Sequence, residues 1–263
     1  MFNFSLLVEI IMSSVSIRVA VVGDSFVAND FGTGSRHVPP DQRILHLFSL
    51  DEKVLKAGPP PVVDGFGVSG LSVRDDDRWE RVIAPQLSKF RPDLVVVFCG
   101  GNDFYDKHGV DRNVSGRLLF RSCKEKMEWL LQSLLSTESE EAVPKRPQIR
   151  WAFLHPRRPN RWSPAKAWMT KALVFNEAAQ HHHRDGRYRS ISNHPCQFVP
   201  RKHMCYAVEK ARGSPSDEPR DPADIEFLAR DGVHPDPGKK CYRRVLFQPT
   251  RDVYLAFLAV RRS

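Results

Sequence analysis

Arg18-Val-Ala-Val-Val-Gly23-Asp24-Ser25 is the stretch whose reading decides the fold. Val19, Val21 and Val22 are apolar, and Ala20 is small enough for burial on either face. A short, nearly continuous apolar run suits a strand covered on both sides, as in a parallel sheet. Gly23 tolerates dihedrals closed to other residues, so the chain can turn sharply there. Ser25 then falls at the carboxyl end of a strand, where open α/β sheets place their ligand crevices. Taken alone, Gly-Asp-Ser also reads as an ordinary β-to-α loop with Asp24 or Ser25 as a helix N-cap. Partners for a serine nucleophile must therefore be sought elsewhere.

Outward from that stretch the same pattern repeats. Pro61-Val-Val-Asp64 is a short strand leading into Gly65-Phe-Gly67-Val-Ser-Gly70. Leu94-Val-Val-Val-Phe98 is the clearest strand, running into Cys99-Gly-Gly-Asn102-Asp103. A further strand over 149–154 precedes His155-Pro-Arg157-Arg158-Pro-Asn-Arg161. Between these lie helical patterns over 41–55, opened by Asp41, and over 78–90 and 118–135. Another starts at Ser163-Pro164 and runs to about 181. Residues 188–191 suit a short strand, 192–226 form an irregular insert, and 238–260 is mainly helical with a break near Pro249. Strands alternating with helices imply βαβ units and a doubly wound parallel sheet. The expected architecture is three-layer α/β/α, with one domain over 16–263 after an N-terminal extension over 1–15.

The 263 residues carry a formal net charge of +9 and 41% hydrophobic residues, outside the disordered regime. No zinc-finger spacing, RNP aromatic pattern or basic heptad region accompanies the charge, so no nucleic-acid partner is expected. The charge is read as mild steering toward anions. Five cysteines at irregular spacing do not make a disulfide framework, which favours a reducing compartment and a cytoplasmic location. Residues 1–12 are apolar but contain Glu9 and lack a basic n-region, so a signal peptide is not favoured. No apolar run is long enough to predict a membrane span.

A nucleophilic serine needs a base, a group to orient the base, and donors for the oxyanion. Asp231-Gly-Val-His234 offers base and orienter on one loop. His181, His182 and His183 read instead as a helix end. Gly70 and Asn102 each follow a predicted strand, so a parallel sheet brings both to the edge that carries Ser25. The Gly70 and Ser25 N–H groups and the Asn102 amide are thus candidate oxyanion donors. Each block also has a plain reading as a turn or an Asx cap.

Taken in order, Gly-Asp-Ser25, Gly-Val-Ser-Gly70, Gly-Gly-Asn102-Asp and Asp-Gly-Val-His234 resemble the four blocks of the SGNH (GDSL-type) esterases and lipases. The resemblance spans residues 18–240. It implies a flavodoxin-like fold and ester hydrolysis without a cofactor or metal. It makes Ser25 the nucleophile, His234 the base and Asp231 its orienter, with Ser25, Gly70 and Asn102 forming the oxyanion hole. Phe26 stands where the family usually has leucine, and 192–226 matches no block.

Other readings are weaker. Gly65-Phe-Gly67-Val-Ser-Gly70 fits the dinucleotide fingerprint G-x-G-x-x-G, but no helix follows at once and no acidic residue ends the next strand. The elbow G-x-S-x-G fails because Val27 holds the second glycine's place. His194-Pro-Cys196 and His203-Met-Cys205 supply zinc-type ligands at a non-standard spacing. A catalytically silent binding or scaffold module on the same fold is the main non-enzyme alternative. Arg157, Arg158 and Arg161 follow a predicted strand, and their planar forks suit a small-molecule or acylated substrate with an anionic group.

Overall fold

A computed structural model describes residues 16–34, 38–104, 114–136, 147–152, 154, 165–184, 195–199, 234 and 246–262. Five strands pair in parallel: β1 (Arg18–Gly23), β2 (Val62–Gly67), β3 (Leu94–Phe98), β4 (Gln148–Trp151) and β5 (Cys196–Phe198). Their order is β2-β1-β3-β4-β5, the doubly wound order with its switch between β1 and β3.

The alternation within the strands builds two cores, one on each face. Val19, Val21, Leu94 and Val96 face one layer. That layer contains α1 (Ser25–Asp30), α2 (Ile44–Leu50), α3 (Glu52–Ala57) and α7 (Phe247–Arg262). Ala20, Val22, Val95 and Val97 face the other. There lie α4, α5 (Gly116–Leu135) and α6 (Ala165–Arg184). The α4 segment comprises Asp76–Arg78, a π-helical turn Trp79–Ile83 and Ala84–Phe90. The three layers expected from the apolar run at 19–22 are present.

Local chemistry sets several boundaries away from the expected ones. The helix expected over 41–55 is two helices, because the Asp51 carboxylate accepts from Lys53 N and Val54 N and caps a new start. The helix expected from 78 begins at Asp76, and its π turn falls just ahead of Pro85, which has no N–H to donate. Pro249 does not interrupt α7. It sits in the first turn, where the N–H is unpaired in any case. Cys196–Phe198, expected to be irregular, pairs with β4 as an edge strand. The short strand expected over 188–191 and the N-terminal extension lie outside the described residues.

Glycines at 65 and 67 explain the apparent nucleotide fingerprint. A Cβ on Gly65 would run into the Phe31 ring, and one on Gly67 into the Ala28 backbone. Both positions are small because the α1 segment packs directly on β2.

Candidate active site

Gly23 ends β1 where an added Cβ would strike the Phe98 carbonyl and the Val27 side chain. Asp24 N donates to that same carbonyl at 3.3 Å, and Asp24 Oδ1 accepts from Phe26 N at 3.1 Å. The second bond caps α1, so the helix starts at Ser25 and holds its side chain at the sheet edge. Asp24 itself is 1% exposed. The plain N-cap reading of Asp24 is therefore correct, and it is compatible with a functional Ser25.

After β2, Val68 N donates to Gly23 O at 2.9 Å and Leu71 N to Val68 O at 3.0 Å. This turn sets Gly70 at φ +76°, where glycine has no Cβ to clash. After β3, Gly100 takes φ +125° and Gly101–Phe104 forms a 3₁₀ turn. Asn102 Nδ2 donates to Leu71 O at 2.9 Å and to Asp24 Oδ2 at 3.3 Å. One amide thus ties together the three loops that follow β1, β2 and β3. Next to it, Asp103 Oδ2 accepts from Val73 N at 2.9 Å.

His234 comes to this edge from the far end of the chain. Its Nε2 lies 2.7 Å from Ser25 Oγ, and its ring packs on Phe26 with centroids 5.3 Å apart. With the imidazole neutral and its proton on Nδ1, the hydroxyl donates to Nε2. This is the arrangement in which a base takes a proton from a nucleophile.

The structure thus brings together Ser25 and His234, while Asn102 bonds to Asp24 just ahead of Ser25 and the turn that holds Gly70 begins at Val68, whose N–H bonds to Gly23 O. Asp231, Arg157, Arg158 and Arg161 lie outside the described residues. Of the His-x-Cys residues, Cys196 is buried in β5 with its thiol donating to Met127 O at 3.5 Å. Burial, then the charge of Glu128, push that thiol up to about 12. His194, His203 and Cys205 are outside the described residues. Cys99 lies behind Asn102, fully buried; burial first, then the charges of Asp103 and Asp24, raise its pKa well above the usual range. It is a neutral thiol and donates to Leu71 O at 3.6 Å.

Sequence reasoning missed the Asp24–Asn102 link and the contact of Phe26 with His234. Asp24 was legible as a cap but not as a second-loop partner. Phe26 was legible only as a departure from the family's leucine.

The sequence profile of the GDSL-like Lipase/Acylhydrolase family matches residues 21–237. No curated protein matches the chain. Among solved structures, the chain is similar to a carbohydrate acetylesterase family member from Sinorhizobium meliloti. The two share 16% identity and a TM-score of 0.56 over 92% of this chain and 99% of that one. It is also similar to Est24, a carbohydrate acetylesterase from the same organism, with 14% identity, a TM-score of 0.52 and coverage of 91% and 99%. The native M. smegmatis aryl esterase gives 16% identity, a TM-score of 0.50 and coverage of 94% and 99%. At such identities the structural likeness speaks to the fold alone. The profile, which covers most of the chain from β1 past His234, decides the family: this chain belongs to the GDSL-like lipase/acylhydrolase family and is a hydrolase of ester bonds.

Proposed function

We propose that the protein is a serine esterase that hydrolyses a carboxylic ester through an acyl-enzyme. The observation that carries this is the 2.7 Å contact of Ser25 Oγ with His234 Nε2. Ser25 Oγ attacks the acyl carbonyl carbon while its proton passes to His234 Nε2. The resulting oxyanion is held by the N–H groups of Ser25 and Gly70 and by the Asn102 amide. The amide keeps its 2.9 Å bond to Leu71 O and exchanges its longer bond to Asp24 for the oxyanion. Collapse breaks the bond to the alkoxy oxygen, and His234 returns its proton to the leaving alcohol. A water then attacks the acyl-enzyme, with His234 again base and then acid. Asp231, three positions before His234 in the sequence, is the orienter that the family resemblance implies.

The natural ester is a small-molecule or acylated substrate. Short acyl esters are the first to test, since two similar structures are described as carbohydrate acetylesterases and a third as an aryl esterase. Arg157, Arg158 and Arg161 keep the expectation of a preference for anionic groups, read as a higher kcat/KM for an anionic ester than for its neutral match at low salt. The neutral buried thiols at 99 and 123 accord with a cytoplasmic, reducing setting. Hydrolysis of p-nitrophenyl acetate by the wild type and its loss in Ser25→Ala test the esterase reading. Wild-type turnover in Ser25→Ala removes Ser25 as the nucleophile, whereas a wild type that hydrolyses no ester of a varied panel returns the protein to the class of binding modules.

A further inference from the structure

The loop that carries Gly70 is held from outside by side chains of α4. Trp79 Nε1 donates to Ser72 O at 2.8 Å, and Arg78 Nη1 donates to Ser69 O at 3.1 Å. Trp79 is fully buried, and its bond is part of the core. Arg78 is not: its side chain is 43% exposed. Its guanidinium is nevertheless fixed, because Nε also lies 3.3 Å from Asp75 Oδ2. The backbone supports the same placement. Arg78 N and Trp79 N both donate to Asp75 O, at 3.1 and 3.2 Å, just where α4 passes into its π turn. The Arg78 head reaches to 3.8 Å from where a Gly70 Cβ would stand.

The acceptor that Arg78 holds matters. The Ser69 carbonyl and the Gly70 N–H belong to one peptide unit. That unit is planar and trans, so the two groups point in opposite directions. Fixing the carbonyl oxygen therefore fixes the direction of the N–H. A cationic donor on the carbonyl also polarises the amide and strengthens its N–H as a donor. Gly70 at φ +76° has no side chain to brace the turn by itself.

We propose that Arg78, through its bond to Ser69 O, is a positioning residue that aims the Gly70 N–H at the oxyanion. The proposal rests on the serine-esterase reading above. Arg78 acts on the transition state and not on substrate binding, so its effect falls on kcat.

The test uses the full chain with p-nitrophenyl acetate, measuring kcat, KM and Tm for Arg78→Met, Arg78→Lys and Gly70→Ala, with Ser25→Ala as control. Arg78→Met lowers kcat about 10- to 100-fold, a part of the loss expected for a deleted oxyanion donor. KM stays within about twofold. Tm moves by no more than a few degrees, as for an ordinary surface change. Arg78→Lys gives an intermediate kcat, because one point charge reaches Ser69 O but cannot also hold Asp75 in a fork. In the Gly70→Ala background, where the turn is already displaced, Arg78→Met costs far less than in the wild type. Should Arg78→Met fail to fold, Arg78→Lys carries the test by its intermediate kcat at unchanged KM. Wild-type kcat in a folded Arg78→Met, or an effect on KM alone in either Arg78 variant, overturns the positioning role while a silent Ser25→Ala leaves the esterase reading standing. Turnover surviving in Ser25→Ala overturns that reading, and this proposal with it.

Discussion

Ser25 Oγ and His234 Nε2 lie 2.7 Å apart across 209 residues of chain. A pair that acts as a unit fails as a unit. Ser25→Ala and His234→Ala should each lower kcat on the order of 10⁴- to 10⁶-fold, and the double variant should be little worse than either. Steady-state rates on p-nitrophenyl acetate check this. Multiplying losses in the double variant would mean that the two side chains act separately.

Asn102 joins three loops through Leu71 O and Asp24 Oδ2. Asn102→Ala should cost on the order of 10²- to 10³-fold in kcat, the loss of one oxyanion donor, while Ser25 remains in place to be acylated. A pre-steady-state burst of p-nitrophenol at reduced rate is the expected signature. A rise in KM with kcat unchanged would point to substrate binding instead.

Gly67→Ala places a methyl group against the backbone of Ala28. Backbone does not yield as a flexible side chain does, so α1 must move away from β2. The expected loss is about 1–3 kcal/mol of stability. Because α1 carries Ser25, kcat falls along with it. Thermal unfolding and kinetics of the one variant measure both. If neither changes, Gly67 is not a packing residue.

Burial holds Cys99 and Cys123 protonated and pushes Cys196 up to about 12. Brief alkylation at pH 8 followed by peptide mapping should leave all three unmodified in the folded protein and modified after denaturation. The linkage to stability runs in one direction. The unfolded thiol, near 8.5, loses its proton first, so the Cys196 contribution is complete below about pH 8.5 and declines as pH rises toward 12. Denaturant midpoints should therefore fall less steeply from pH 8 to 10 in Cys196→Ala than in the wild type.

Much of the fold was legible because its signals are local. The runs at 19–22 and 94–97 are buried on both faces, and burial on both faces leaves a continuous apolar string. The site was legible for a related reason: a parallel sheet sends the residues after β1, β2 and β3 to one edge, so strand positions alone gather Ser25, Gly70 and Asn102. What was missed depends on partners distant in sequence. Asp51 reads as a mid-helix residue until its bonds to Lys53 N and Val54 N are seen. Cys196–Phe198 is too short to declare itself a strand without β4 beside it. The 65–70 glycines imitate a nucleotide loop because Phe31 and Ala28 demand the same small residues that a pyrophosphate does. Arg78 looks like one charge in an acidic run, and only its bond to Ser69 O distinguishes it.

The central claim is that Ser25 is the nucleophile and His234 its base. Labelling by a fluorophosphonate, read by intact mass and peptide mapping, tests it most directly. The account predicts one adduct per chain on Ser25, none in Ser25→Ala, and labelling slowed by orders of magnitude in His234→Ala. An adduct on another residue, or a Ser25→Ala protein that still labels and turns over ester at the wild-type rate, would contradict it.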